Sequence, residues 1–164
     1  MGTGHGIVIG KVAKLTDAET VGIDASPSIL LKARSAYPST SFEVHDASRL
    51  GFKDNSFDVV FSTLAFHHFD RPSALKEMLR VLKPSGILII FDFDGRIHPV
   101  LFASLLFRSK KNIARAIPIL GWGIDSVFHS INEKTFSKLL SGLEYKIERH
   151  GMFLKVTATK EKRK

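Results

Sequence analysis

The chain contains no cysteine among its 164 residues. Disulfide bonds, thiolate metal ligands and cysteine nucleophiles are therefore excluded from its chemistry. It also lacks an apolar run of the roughly 20 residues that a membrane-spanning helix needs. Its first residues are glycine-rich and do not resemble a secretory signal peptide. We therefore expect a cytoplasmic protein with no membrane span, and we predict no metal site.

Acidic residues are the minority among the charged ones. The chain has 24 Lys and Arg against 16 Asp and Glu, a formal net charge of +8. A positive net charge favours binding to an anionic partner, but net charge affects association and solubility and does not determine the fold. Part of it lies in a basic tail, residues 160–164, which we expect to fray. We favour a solvated basic surface and keep nucleic-acid binding as a less favoured alternative.

The length fits one domain over residues 1–164, with 44% hydrophobic residues to build a core. Helical and strand patterns alternate from the start of the chain to about residue 91, which predicts an α/β fold with a mainly parallel sheet. A further helix, capped by Asn132, and two strands joined near Gly151 follow. The segment between, residues 96–131, is apolar and helical in tendency. We expect it to be a lid that lines an acceptor pocket, although completing the core is an equal alternative.

A glycine-rich stretch opens the chain: Gly2-Thr3-Gly4-His5-Gly6. Glycines let a backbone turn tightly and approach a ligand where a Cβ would collide. Asp24 ends the first predicted strand, a position that suits the diol of a ribose. A dinucleotide fold would place its third glycine at position 7, where this chain has Ile7. The pattern favours a different nucleotide-like cofactor, with an ordinary turn and a helix-capping acid as the alternative.

Four segments, in this order, resemble the class I S-adenosylmethionine-dependent methyltransferases, and most of all the small-molecule branch that includes the ubiquinone and menaquinone biosynthesis methyltransferases. They are residues 2–6, residues 22–26, residues 45–47 with 57–60, and Leu-Arg-Val-Leu-Lys-Pro-Ser-Gly at residues 79–86. The family usually has two glycines where this chain has Ser85-Gly86. The resemblance covers most of residues 2–94. It implies a three-layer Rossmann-like fold, S-adenosylmethionine as cofactor and a small-molecule methyl acceptor, for which an apolar compound is one candidate.

The resemblance also implies a cofactor site. The glycine loop would pass under the methionine part of the cofactor, Asp24 would accept hydrogen bonds from the ribose hydroxyls, and Asp46 would read the adenine amino group. Small or hydroxyl side chains would complete the site beside the adenine and near the methyl group. Together the predicted cofactor-binding residues are Gly2, Gly4, Gly6, Asp24, Ala25, Asp46, Ala47, Ser62 and Thr63. Asp58 resembles a position where the family has a structural acid.

No catalytic residue is assigned from the sequence. Methyl transfer from a sulfonium needs alignment more than a dedicated side chain, unless the acceptor must lose a proton. His67 and His68 are candidates for that base, with packing and backbone hydrogen bonding as the alternative. The run Ser62-Thr63-Leu64-Ala65-Phe66 argues against methylation of adenine or glutamine amino groups, because those enzymes resemble one another in an Asn/Asp-Pro-Pro-aromatic run here.

The family has a central strand before the glycine loop, and this chain has only Met1 there. We therefore expect a fold that lacks its first strand, and we hypothesise that Met1 is an internal methionine of a longer protein. Otherwise the neighbouring strands would close the gap or borrow a strand from another copy, as in a homodimer. Either route predicts weak cofactor binding. The remaining hypotheses are a non-catalytic or truncated methyltransferase-fold module and, third, a basic domain that binds or modifies RNA.

Overall fold

The structure is a computed structural model that describes residues 1–94 and 132–161. The predicted lid at 96–131 and the end of the basic tail lie outside the described residues. No helix in the described part is long and apolar enough to cross a bilayer.

Helices and strands alternate as the sequence predicts, and the α/β prediction is confirmed. The elements in chain order are α1 (Ile7–Leu15), β1 (Val21–Asp24), α2 (Pro27–Ala36), β2 (Ser41–Val44), β3 (Phe57–Thr63), a 3-10 turn (Phe66–His68), α3 (Arg71–Val81), β4 (Leu82–Phe93), α4 (Glu133–Leu139), β5 (Glu144–His150) and β6 (Phe153–Thr159).

Local sequence signals set where two of the helices begin. The Ser26 hydroxyl accepts a hydrogen bond from the Ile29 N–H at 3.4 Å, and Pro27 occupies the first turn of α2. The Asn132 side chain caps α4 by accepting from the Thr135 N–H at 2.9 Å. Each cap satisfies an N–H that the helix itself leaves without a partner.

The described strands form two separate sheets. In one, β1 pairs with β2 in parallel; in the other the order is β3-β4-β6-β5. The β3–β4 pair is parallel, whereas β6 runs antiparallel to both β4 and β5. The hairpin between β5 and β6 turns at Gly151, whose φ of 62° suits a glycine. The prediction of a mainly parallel sheet therefore holds for the strands up to β4. The C-terminal strands β5 and β6 pair with each other in antiparallel, as the short connection between them requires.

Two hydrophobic cores support the sheets. The larger core packs the four-stranded sheet against α3 and α4, and fully buried side chains at its centre include Phe66, Met78, Leu88 and Phe136. The smaller core joins α1, α2 and β2 through Ile9, Leu30, Ala33 and Phe42. Ile23 of β1 belongs to the larger core and Phe61 of β3 packs against the smaller one, so the two cores connect the two sheets.

Residues 1–3 lie between the two sheets. The Thr3 N–H donates to the Ile23 carbonyl of β1 at 2.8 Å, and the Met1 amine donates to the Phe61 carbonyl of β3 at 2.6 Å. The first residues of the chain therefore bridge β1 and β3. The missing first strand stays a prediction.

The motif at 79–86 has a structural role. Arg80 donates to the carbonyls of Leu50 and Phe52 and pairs with Glu77 at 2.7 Å, while Glu77 accepts the Leu50 N–H. This bonding to Arg80 lowers the pKa of Glu77 to about 2. The pair fastens the loop before β3 onto α3. Asp58 pairs with Lys83 at 2.8 Å, and both side chains are exposed.

Candidate functional site

The glycine loop has the backbone that its sequence predicts. Gly2, Gly4 and Gly6 have φ values of 63°, 54° and 79°, in the left-handed region that favours glycine. A Cβ on Gly2 would lie 2.4 Å from the Cβ of Ala65, too close for any other residue. A Cβ on Gly4 would meet nothing within 4 Å. The loop is therefore tightly packed at Gly2 and open at Gly4.

Asp24 joins the loop to the end of β1. One carboxylate oxygen accepts the Gly4 N–H at 2.9 Å, and the other accepts the Ser26 N–H at 3.0 Å. A carboxylate offers about four lone-pair positions, so two remain after these bonds. The side chain is half-buried, and the neighbouring Ala25 is exposed. The structure thus brings Asp24, Ala25 and Gly4 together at the end of β1.

Asp46 and Ala47 follow β2, whose end lies beside Asp24 through a hydrogen bond from the His45 N–H to the Asp24 carbonyl at 3.2 Å. One Asp46 oxygen accepts from both the N–H and the hydroxyl of Ser48, at 2.7 and 2.6 Å. These bonds lower the pKa of Asp46. Asp46 is exposed, and Ala47 packs partly against the larger core. Both residues therefore lie on the same edge of the fold as Asp24.

Ser62 and Thr63 at the end of β3 differ in exposure. Ser62 is fully buried, and its hydroxyl donates to the Met1 carbonyl at 3.1 Å. Thr63 is half-buried and lines the cleft beside Gly2 and Thr3. The Ser62 hydroxyl is therefore occupied within the fold, and Thr63 is the better placed of the two to meet a ligand.

A buried histidine–aspartate pair lies just after β3. The Nδ1 atom of His67 is 2.6 Å from an Asp92 oxygen, and the His67 backbone N–H donates to the other oxygen at 2.9 Å. Both side chains are fully buried. Since the carboxylate accepts, we assign the ring proton to Nδ1, which leaves Nε2 with a free lone pair. Among the described residues no group hydrogen-bonds to that Nε2.

The two histidines proposed as bases are therefore not equivalent. The His68 ring lies 3.9 Å from the His67 ring, centre to centre, but His68 is exposed. His67 is buried and held by the Asp92 carboxylate. Asp92 is not among the predicted site residues. A signal was present in the sequence, because Asp92 is an acid between two phenylalanines that follows the apolar run at residues 87–91.

The described residues hold no group of three or more His, Asp or Glu side chains that could bind a metal ion. The site consists of the glycine loop, the ends of β1, β2 and β3, and the buried His67–Asp92 pair. This arrangement is suited to holding a ligand at the carboxyl ends of parallel strands.

A profile of the methyltransferase domain family matches residues 1–90. The chain is 37% identical over 152 residues to a demethylmenaquinone methyltransferase of Chlorobaculum tepidum, covering 88% of this chain and 63% of that protein. It is 40% identical over 89 residues to a 2-methyl-6-phytyl-1,4-hydroquinone methyltransferase of Synechocystis, covering 52% of this chain and 28% of that protein. The chain thus spans less than two thirds of the length of either relative.

The fold also matches solved structures. A SAM-dependent methyltransferase from Aquifex aeolicus superposes with a TM-score of 0.71 at 18% identity, covering 96% of this chain and 78% of that one. This likeness confirms the Rossmann-like fold, and the family match supports S-adenosylmethionine as the cofactor. With more than half of the chain matched by the family profile, the protein belongs to the methyltransferase domain family of class I S-adenosylmethionine-dependent methyltransferases.

Proposed function

We propose that this protein transfers a methyl group from S-adenosylmethionine to a small-molecule acceptor. The observation that carries the proposal is the hydrogen bond from the Gly4 N–H to Asp24, which fixes an acid beside an open stretch of glycine backbone. Family membership supports the same activity.

The residues of the loop fit this cofactor. Asp24 keeps two lone-pair positions after its two backbone hydrogen bonds, which matches the two hydroxyls of a ribose. Hydrogen bonds from hydroxyls to an ionised carboxylate are stronger than neutral ones. The space over Gly4 leaves room for the chain of the methionine moiety. One Asp46 oxygen has no hydrogen bond to the rest of the described chain. We assign to this oxygen the hydrogen bond from the adenine amino group.

The acceptor that we propose is a hydroquinone with an apolar chain. Two relatives are named for the methylation of demethylmenaquinone and of a phytyl hydroquinone, at 37% and 40% identity. A hydroquinone of this kind is an uncharged aromatic diol that carries an apolar chain.

His67 is the residue that we propose as general base. When bound, the cofactor supplies an electrophilic methyl group on a sulfonium. Asp92 holds the Nδ1 proton of His67, so Nε2 is the atom that accepts a hydroxyl proton from the hydroquinone. The loss of that proton makes the adjacent ring carbon electron-rich. The methyl group would pass to this carbon as its bond to the sulfonium sulfur breaks, which would leave S-adenosylhomocysteine. The carbon would then lose its ring proton to solvent, which restores the aromatic ring, and His67 would return its proton to the ring oxygen.

A product assay tests this proposal. The full chain is incubated with a large excess of S-adenosylmethionine and a demethylated isoprenoid hydroquinone, and methylated product is measured by mass spectrometry. We expect methylation that Asp24→Asn reduces by about tenfold or more, since it removes the charge from the ribose contact. Asp17→Asn is the matched control, because Asp17 is exposed in a loop outside the site. Equal product from both variants would contradict the proposed site.

A further inference from the structure

The loop that follows β2 turns back on itself. A hydrogen bond from the Arg49 N–H to the Asp46 carbonyl, at 3.0 Å, closes a tight turn over residues 46–49. Ser48 occupies one oxygen of the Asp46 carboxylate, which fixes this side chain relative to the turn. The direction of the other carboxylate oxygen therefore depends on how the whole turn is held in the fold.

The far side of this turn is fastened to α3. The Leu50 N–H donates to a Glu77 oxygen at 2.7 Å, and the Leu50 carbonyl accepts from Arg80 at 3.0 Å. The Leu50 side chain is buried in the larger core. Leu50 is therefore one fixed point of the loop, and a second fixed point on the side of β2 holds the turn between them.

His45 is that second point. It directly precedes Asp46, and its Nδ1 atom accepts a hydrogen bond from the Gly51 N–H at 3.3 Å. Because a backbone N–H can only donate, we assign the lone pair to Nδ1 and the ring proton to Nε2. Nε2 lies 3.1 Å from a carboxylate oxygen of Glu43. Glu43 thus favours the tautomer that accepts from Gly51.

The His45 ring also packs against the end of the loop. A Cβ on Gly51 would lie 2.7 Å from the ring atom Cε1, so the ring lies directly on the backbone there. The Phe52 ring is 5.0 Å from the His45 ring, and it contacts the Phe57 ring of β3 edge to face at the same distance. The His45 side chain is only 21% exposed. Its ring is therefore held between the loop and its neighbours rather than extended into solvent.

We infer that His45 is a positioning residue for the cofactor. Its bond to Gly51 closes the loop at its base and directs the second Asp46 oxygen toward the adenine amino group. The inference rests on the proposed function, which assigns this contact to Asp46. His45 acts through Asp46 and does not touch the cofactor, so it contributes only the part of the affinity that depends on the amino group.

Two variants of the full chain separate this role from a purely structural one. His45→Leu removes the acceptor, whereas His45→Asn keeps an acceptor oxygen near the position of Nδ1. His150→Leu is the matched control, because His150 is exposed on β5 outside the site. Hydrogen exchange of the amides at residues 46–51, measured without ligand, reports on the loop alone. We expect faster exchange in His45→Leu than in the unaltered chain or in His45→Asn.

Calorimetry then compares S-adenosylhomocysteine with the analogue that carries hydrogen in place of the adenine amino group. The unaltered chain should bind S-adenosylhomocysteine about tenfold or more tightly than the analogue, which lacks the donor for the carboxylate. We expect His45→Leu to weaken S-adenosylhomocysteine about fivefold or more and to change the analogue by less than about twofold. His45→Asn should restore the preference, and His150→Leu should leave it unchanged.

Several results would overturn the inference. They are an unaltered chain with no preference for the amino group, loop exchange that His45→Leu does not change, equal weakening of both ligands by His45→Leu, and a His45→Asn variant that behaves like His45→Leu. The proposed function fails in a different way. If the preference depends on His45 but no methylated hydroquinone forms, the positioning role stands and the acceptor assignment is wrong.

Discussion

The Asp24 carboxylate and the Gly4 N–H lie 2.9 Å apart, across 20 residues of sequence. This hydrogen bond holds the glycine loop against the end of β1 and orients the carboxylate toward the open side of the loop. Two features that looked separate in the sequence are thus one unit in the structure. A change at either residue is expected to affect both the shape of the loop and its affinity for ligand.

Gly4→Ala tests the open face of the loop. The φ of 54° makes alanine unfavourable there by roughly 1 kcal/mol, and the new methyl group projects into the space assigned to the cofactor. We expect a loss of S-adenosylhomocysteine affinity larger than the loss of stability explains, measured by calorimetry and chemical denaturation. Gly142→Ala is the matched control, because its φ of 88° is also positive and its surroundings are also open. Equal effects on affinity would count against the assignment.

His67→Asn tests the general base. The asparagine amide can still donate to Asp92 in place of Nδ1, whereas the Nε2 lone pair is lost. We expect kcat to fall by about 100-fold, with little change in KM. His68→Asn, at the exposed neighbour, should leave kcat nearly unchanged. If His67→Asn lowers only the melting temperature, the pair is structural.

Acetylation of the Met1 amine tests its burial through pH. The folded pKa of about 5 lies below the unfolded value of 8.0. The unfolded chain therefore binds more protons between these values, so stability is lost as pH falls from about 8 to about 5. Acetylation removes this group, and we expect the slope of unfolding free energy against pH to flatten in that window. Identical slopes for both forms, from denaturation at several pH values, would show that the amine is not buried.

Ser85→Gly tests a strained backbone position near the start of β4. Ser85 has a φ of 63°, at a position where the family usually has glycine. Glycine adopts this conformation without the Cβ clash, so we expect a gain of roughly 0.5 to 1 kcal/mol in unfolding free energy. Ser85→Ala keeps the Cβ and should give no gain. A gain from alanine would point to the hydroxyl rather than the backbone.

Local signals were enough to predict much of the fold. The capping residues Ser26 and Asn132 act within three positions of themselves, so their helices begin where the sequence indicates. The start of β4 has no local signal. The continuous apolar run begins at Ile87, but the strand begins at Leu82, because Leu82 pairs with Phe57 across a register shift in β3. Such pairing depends on a distant strand and leaves no local pattern.

Partners far apart in the sequence account for the other differences. Ser62 looks like an open hydroxyl at a strand end, yet its position opposite the Met1 carbonyl buries it. Asp92 and His67 are 25 residues apart and meet only because β3 and β4 are adjacent. The glycine loop and Asp24 follow a family pattern of spacing and stay predicted cofactor residues, whereas no local pattern indicates that the Asp92 carboxylate orients His67.

Calorimetric titration with S-adenosylmethionine tests the central claim most directly. The unaltered chain, the Asp24→Asn variant and the Asp17→Asn control are compared at one pH and salt concentration. We predict that Asp24→Asn lowers the affinity about tenfold or more, whereas Asp17→Asn leaves it unchanged. Equal affinity with and without the Asp24 carboxylate would contradict the account.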